Sequence, residues 1–236
     1  MNNQLWFRTI CRQNGLDVED NQLASLQSFA DRLLEWNKKI NLISRKDEKN
    51  VWPGHILHSA TILFKLKIPV DASVLDLGTG GGLPGLPLKI LHPTISLTLL
   101  DSTQKKINVV NDLITSLRLD GARGVWGRAE ELGMKREFHQ KFDLVVARAV
   151  GSLKDLVTWS YPFLKSGDDK KPGSGETLPE EANPPALIAL KGGNLEGELR
   201  GIEKDLRIRS VKVFDLTLKG SDQLDSNDKK MVLIRF

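Results

Sequence analysis

The sequence predicts an α/β fold: a doubly wound, Rossmann-like sheet with an N-terminal helical extension. Three observations predict it. From Ser73 onward, short apolar runs alternate with segments of helical period, as strand–helix–strand units require. The run Leu144-Val145-Val146-Ala147 is apolar on both faces, as suits a buried parallel strand. A glycine-dense turn, Gly78 to Gly85, leads out of the first of these strands into a helix.

The first seventy residues read as helical. Leu23, Leu26, Phe29, Ala30, Leu33 and Leu34 recur at three- and four-residue spacing, with Asp20 or Asn21 as the expected cap. A second helix is expected from Pro53 to Leu66, with proline near its first turn. Strands are expected at 74–77, 96–100, 124–126, 142–147 and 186–190, with helices at 86–91, 104–117 and 153–164 between them. A helix around 195–206 precedes two strand-like runs, 211–218 and 231–236, which read as a terminal hairpin. Asp143 starts its strand, so it is expected at the edge away from any ligand and to be structural. The division is therefore a helical cap over 1–70 and a single unit over 71–236. Within the latter, 166–185 is polar and rich in Gly and Pro, and reads as a mobile loop.

Composition narrows the function. The 236 residues fit one domain with extensions, and the formal net charge of +4 is compatible with a phosphate-rich partner without demanding one. The lone cysteine, Cys11, excludes an internal disulfide and a cysteine-based zinc site. His55, His58, His92 and His139 form no two-histidine metal motif, so no metal is expected. Residues 1–15 lack the pattern of a signal peptide, and no stretch approaches the roughly 20 apolar residues of a membrane span. The expectation is a cytoplasmic protein without a membrane partner.

The strongest local signal is Val74-Leu75-Asp76-Leu77-Gly78-Thr79-Gly80-Gly81-Gly82-Leu83-Pro84-Gly85. The next strand ends in Asp101, a carboxylate able to accept hydrogen bonds from both hydroxyls of a ribose. A dinucleotide fingerprint counted from Gly78 needs a small residue where Leu83 stands. No Gly-Lys-Ser/Thr follows, so there is no phosphate-cradling P-loop. Asp-x-Gly-x-Gly instead resembles the S-adenosylmethionine motif of class I methyltransferases. That cofactor carries a cationic sulfonium and no phosphate, and Asp76 is placed to favour its positive region. Arg148 and Lys191 follow the fourth and fifth strands at the edge where a site forms. A charge there must reach solvent or a ligand, or make a structural ion pair. Both are candidate catalytic residues on the substrate side. Lys105 and Lys106 either contact phosphate or face solvent; Trp36, Trp52, Trp126 and Trp159 either pack in the core or stack on bases; His55 either lines the substrate side or is a satisfied core histidine.

Further motifs accompany the glycine turn in order. They are Trp36-Asn37 through Asn41-Leu42, His55-Ile56-Leu57-His58-Ser59, the tail Leu83-Pro84-Gly85-Leu86-Pro87-Leu88 and Leu99-Leu100-Asp101-Ser102 with Lys105-Lys106. After them come Arg128-Ala129-Glu130-Glu131, Ala147-Arg148-Ala149 and Ala189-Leu190-Lys191-Gly192. Together they resemble the RsmG (GidB) family of bacterial methyltransferases, from about Trp36 to Phe236. The resemblance implies a Rossmann-like class I methyltransferase fold that uses S-adenosylmethionine to methylate guanine N7 in 16S rRNA of the small ribosomal subunit, acting as a monomer. It implies cofactor contacts at Asp76, Gly78, Thr79, Gly80, Leu83, Asp101, Ser102, Ala129, Glu130 and Arg148. Guanine N7 has a free lone pair, so the implied chemistry needs positioning more than a general base. The chain departs from the family pattern in having His58 where many members have Asp, and Lys229-Lys230 where many have Arg. Alternatives are a methyltransferase for a small molecule or protein, which needs a closed pocket; a nicotinamide oxidoreductase, disfavoured by Leu83 and the terminal hairpin; and a ribosome-binding protein without turnover, disfavoured by the intact Asp76, Gly78, Gly80 and Asp101.

Overall fold

A computed structural model describes residues 2–166, 179–221 and 228–236. Helix α1 (Asn3–Gln13) opens the chain, with the Asn2 side chain accepting from the N–H groups of Gln4 and Leu5. It buries Phe7, Ile10 and Cys11, too few apolar positions to have stood out in the sequence. Helix α2 (Asp20–Asn37) is capped one residue before the expected Asp20 or Asn21. Glu19 is the N-cap, its N–H donating to the Gln22 side chain, which in turn donates to the carbonyls of Ile90 and Leu91. The expected helix 53–66 is instead two pieces. Val51–Leu57 is wound as a π-helix and α3 (His58–Lys65) follows, every residue from His55 to Ile62 being buried.

Strand β1 (Leu66–Lys67) pairs with β6 (Glu180–Glu181) in a two-residue parallel ladder. The main strands are β2 (Ser73–Leu77), β3 (Ser96–Asp101), β4 (Ala122–Trp126), β5 (Leu144–Arg148), β7 (Ala186–Gly192), β8 (Ser210–Asp215) and β9 (Lys229–Arg235). Between them run α4 (Gly85–Leu91), α5 (Gln104–Leu117), α6 (Ala129–Leu132), α7 (Leu153–Ser160) and α8 (Glu196–Arg200). The expected helix 195–206 shrinks to those five residues of α8, followed by turns. Of the expected loop 166–185, residues 167–178 lie outside those described. In the described part, Glu180 accepts from Arg235 at 2.6 Å and also bonds Lys212.

The seven-stranded sheet has the order β4-β3-β2-β5-β7-β9-β8, parallel from β4 to β7, with β9 antiparallel to both neighbours. Strand side chains alternate between two apolar cores. Val74, Leu97, Leu99, Leu144 and Val146 face α1 to α5; Leu75, Leu77, Leu100, Val145 and Ala147 face α6 and α7. From β2 the chain winds outward through β3 and β4, then returns to β5 on the other side. The order reverses between β2 and β5, and such a switch point leaves a crevice at the carboxyl ends of the strands. Register brings Leu77, Asp101, Trp126, Arg148 and Lys191 to that edge. Asp143 lies at the opposite edge, where it accepts from Ser73 N–H and Oγ and pairs with Lys165.

Candidate active site

The turn after β2 is shaped by what a Cβ would strike. Gly78 has φ +70°, and a Cβ there would lie 2.5 Å from a Val150 methyl carbon. A Cβ on Gly85 would lie 2.6 Å from Asp76 Oδ2. That carboxylate is fully buried; its Oδ2 accepts from Thr79 Oγ1 at 2.6 Å and from Gly85 N–H at 2.9 Å. Its Oδ1 is buried without a partner. Burial pushes its pKa up to about 6, against the pull of these hydrogen bonds and of Arg148. Dinucleotide folds place a pyrophosphate at the start of the helix after the glycine turn. Here Asp76 takes that place, and a carboxylate repels phosphate.

The N-terminal helices brace the same turn. A Cβ on Gly81 would meet Leu33 Cδ1 at 2.7 Å and Leu42 Cβ at 3.2 Å. Leu42 is held because Asn37 Oδ1 accepts from the N–H groups of Leu42 and Ile43, while Asn37 Nδ2 donates to Glu48. The Trp36-Asn37…Asn41-Leu42 motif thus acts on the glycine turn through packing.

Beside the turn lies a cavity of about 250 Å³, walled by Leu77, Gly78, Leu100, Asp101, Ser102, Gly127, Arg128, Ala129, Glu130, Val150 and Trp159. Asp101 is buried, with Oδ2 accepting from Gly80 N–H at 3.0 Å and Oδ1 from Thr103 N–H at 2.8 Å. Lys106 stands 4.0 Å from Oδ2. Each carboxylate oxygen can accept a second hydrogen bond, and Asp101 lines the cavity. Leu100, Ala129, Val150 and the half-buried Trp159 give it flat apolar walls. Five of the residues expected to hold a cofactor, Gly78, Asp101, Ser102, Ala129 and Glu130, meet on this wall. Gly80 is tied to Asp101, and a Cβ there would meet nothing within 4 Å. Asp76, Thr79 and Leu83 lie behind the turn, buried. Arg148 lines a different cavity.

That second cavity, of about 730 Å³, adjoins the first where Ala149 and Val150 follow β5. Ala149 adopts φ +56°, a left-handed conformation uncommon outside glycine. Arg148 donates to the carbonyl of Gly54 at 3.3 Å and bonds His55 Nδ1 at 2.8 Å. Burial pushes its pKa down to about 10, while Asp76 and Asp47 hold it up. Burial and the charges of Arg148 and Lys229 push His55 down to about 3, so the ring is neutral. His58 is pushed down for the same reasons, and the Nε2 atoms of both rings are buried without partners. Lys191 also lines this cavity; it donates to the carbonyl of Gly151 and pairs with Glu198 at 2.9 Å. It therefore makes the structural ion pair left open by the sequence.

Lys229, singled out in the sequence only as a departure from the family's arginine, lines the same cavity. Its position was implicit in the terminal hairpin: an antiparallel strand begins at the edge where the parallel ones end, and Lys229 pairs with Gly192. Of the tryptophans, Trp52 is a core residue and Trp36 is half-buried, donating to Asp112. Trp126 is 56% exposed, its Nε1 donating to the Ser102 carbonyl, so it is not core packing. Lys105 faces solvent, whereas Lys106 turns toward Asp101. His92 and His139 bond the carbonyls of Ile68 and Gly133, away from both cavities. Among the described residues no helix is long and apolar enough to cross a membrane, and no group of three His, Cys, Asp or Glu side chains could hold a metal ion.

Comparison with known proteins bears on this geometry. The family model described as "GidB: rRNA small subunit methyltransferase G" matches residues 22–226. Ribosomal RNA small subunit methyltransferase G of Exiguobacterium sibiricum is 37% identical over 223 residues, covering 91% of this chain and 92% of the relative. The protein of that name from Lachnoclostridium phytofermentans is 33% identical, covering 95% of each. Among solved structures, a chain of the fibrillarin/Nop5p complex aligns with a TM-score of 0.52 at 14% identity, covering 76% of this chain and 82% of that one. A predicted O-methyltransferase from Agrobacterium tumefaciens aligns with a TM-score of 0.53 at 12% identity, covering 76% and 79%. These two likenesses concern the fold.

Proposed function

Since the chain belongs to the ribosomal RNA small subunit methyltransferase G family, an S-adenosylmethionine-dependent group, we propose that it transfers a methyl group from that cofactor to N7 of a guanine in 16S rRNA of the small ribosomal subunit. The observation that carries the reading is the pair of adjoining cavities: one with a buried carboxylate and apolar walls, the other wider and lined by cations.

The smaller cavity fits the cofactor. Asp101 accepts the ribose hydroxyls on its free lone pairs, and Leu100, Ala129 and Val150 hold the adenine, with Ser102 and Glu130 at the rim. Asp76, restrained by Thr79, sets a negative charge beneath the turn and favours a cationic ligand over a phosphorylated one. Gly78 and Gly80 let the ligand approach the backbone, and Leu83 anchors the turn in the core. When bound, S-adenosylmethionine supplies an electrophilic methyl group on a cationic sulfur.

The chain's own residues supply position. Arg148, oriented by His55 and the Gly54 carbonyl, faces the substrate side and fixes the guanine through the RNA strand beside it; Lys191 holds the loop after β5 through the Gly151 carbonyl. A base whose reacting nitrogen already bears a lone pair needs no proton removed, and the neutral histidines are consistent with that. Alignment of nucleophile, methyl carbon and sulfur is then the main source of acceleration.

Exposed Lys38, Lys39, Arg45 and Lys46, beside the larger cavity's Asp47 and Asn50, would meet folded RNA. With so small a charge excess, affinity for free RNA is weak and specificity comes from shape, so the substrate is the assembled or partly assembled subunit. The reading places a monomeric enzyme in the cytoplasm.

The test incubates the protein with labelled S-adenosylmethionine and small subunits from a strain lacking the gene, beside protein-free rRNA and a short stem-loop, and maps the label. The expected result is label on guanine N7, fastest in subunits. Label on another atom, or none, overturns the reading; equal rates on the stem-loop overturn the argument from charge.

A further inference from the structure

A buried charge needs a counter-charge or a full set of hydrogen bonds. The larger cavity leaves that need unmet. Lys191 is neutralised by Glu198. Arg148 bonds only a carbonyl and an imidazole nitrogen, neither of them anionic. The side chain of Lys229, half-buried in the same cavity, has no hydrogen-bond or ion-pair partner among the described residues. Asp76, behind the turn, and Asp47 act on Arg148 through space, whereas Lys229 has only Asp47. Arg148 and Lys229 set against Asp47 leave the lining one positive charge in excess.

The hydrogen-bonding groups have the same bias. A guanidinium only donates, so His55 Nδ1 must accept and the ring proton sits on Nε2. That Nε2, and the Nε2 of His58, are buried without partners although both rings line the cavity. His55 Nε2–H is thus an unpaired donor beside two cations, and His58 Nε2 is unpaired next to it.

We propose that Lys229, Arg148, His55 and His58 form a subsite for one backbone phosphodiester of the RNA substrate. The inference rests on the methyl-transfer reading above. A phosphodiester is a monoanion that only accepts hydrogen bonds, which matches both the excess charge and the donor bias. Position argues against the reacting base edge and against the cofactor's amino-acid end. Both belong at the turn after β2; Arg148 ends the neighbouring β5, but Lys229 starts β9, three strands away or roughly 14 Å at ordinary strand spacing, and the phosphate assignment is anchored there.

The test compares wild type, Lys229→Gln and Lys229→Arg by steady-state methylation of small ribosomal subunits over a series of KCl concentrations, with S-adenosylmethionine affinity measured by calorimetry. Lys229→Gln should raise KM for subunits at least about tenfold, the worth of a charge-assisted hydrogen bond. It should also lower the slope of log(kcat/KM) against log salt by about one, as loss of one phosphate contact does. Cofactor affinity and melting temperature should not change, and Lys229→Arg should recover most of the KM because the charge is kept. A raised KM with an unchanged salt slope would indicate contact with an uncharged base and overturn the assignment. Weakened cofactor binding with KM unchanged would put the cofactor's carboxylate there instead, and wild-type behaviour throughout would remove the subsite. If wild type itself transfers no methyl group to subunits, the functional reading has failed, which is a different result from any of these.

Discussion

Replacing Asp101 by alanine removes two kinds of interaction, and the structure separates them. The first is internal. Oδ2 accepts from Gly80 N–H and Oδ1 from Thr103 N–H, so truncation leaves two part-buried donors without their partner. That costs about 1–3 kcal/mol of stability, a fall of a few degrees in melting temperature for a chain of this length. The second, on the proposed reading, is the pair of hydrogen bonds that the same oxygens would accept from the cofactor's ribose hydroxyls in the smaller cavity. Charge-assisted hydrogen bonds contribute about 1.5–3 kcal/mol, so cofactor affinity should fall roughly 10- to 150-fold. Calorimetry with S-adenosylmethionine and with an analogue lacking the 2′-hydroxyl completes a cycle of four affinities. If Asp101 binds the ribose directly, the two losses are non-additive, since each removes the same contact. A folded Asp101→Ala protein with wild-type affinity would refute the reasoning. Strict additivity would show that Asp101 acts only by tying down the turn.

Arg148→Ala should leave cofactor affinity near wild type and lower methyl transfer by about a hundredfold or more, because misplacing the base by about 1 Å has that effect; loss of cofactor binding instead would move Arg148 to the other cavity. Gly85→Ala should cost about 1–3 kcal/mol in denaturant unfolding, since its Cβ would meet Asp76 Oδ2 at 2.6 Å; a neutral result would mean that the carboxylate moves freely. Asp76 gives a pH signature. Its folded pKa of about 6 lies above the ordinary carboxylate value, so the native state binds the extra proton and stability falls as pH rises from about 4 to 6. Asp76→Asn removes that term. Its stability relative to wild type should therefore rise by about 3 kcal/mol across this range, and a constant difference between the two would contradict the buried-carboxylate account.

The parts of the site legible in the sequence were those set by local geometry. A glycine turn between strand and helix, an acidic residue ending the next strand and an arginine ending the fourth are each defined within a few residues, and register carries them to one edge. What was not legible depends on distant partners. Lys191 meets Glu198 only because α8 folds back against α7, whose Leu153 N–H also donates to Glu198. Lys229 reaches Arg148's cavity through the register of a terminal hairpin. Trp159 lines the smaller cavity because α7 packs over it, which no spacing in the sequence announces. The π-wound segment Val51–Leu57 escaped for a different reason: its apolar residues suit an ordinary helix, and only tertiary packing distinguishes the two. Thr79 and Leu83 belong to the glycine motif by position, yet they serve it from behind, one bonding Asp76 and the other buried in the core.

The central claim is a division of labour between two adjoining cavities, and a crystal structure with S-adenosylhomocysteine tests it most directly. The account predicts ribose hydroxyls on Asp101, adenine between Ala129 and Val150, and sulfur at Gly78 facing the cavity of Arg148. Density for the ligand among His58, Arg148 and Lys229, with the smaller cavity empty, would contradict it.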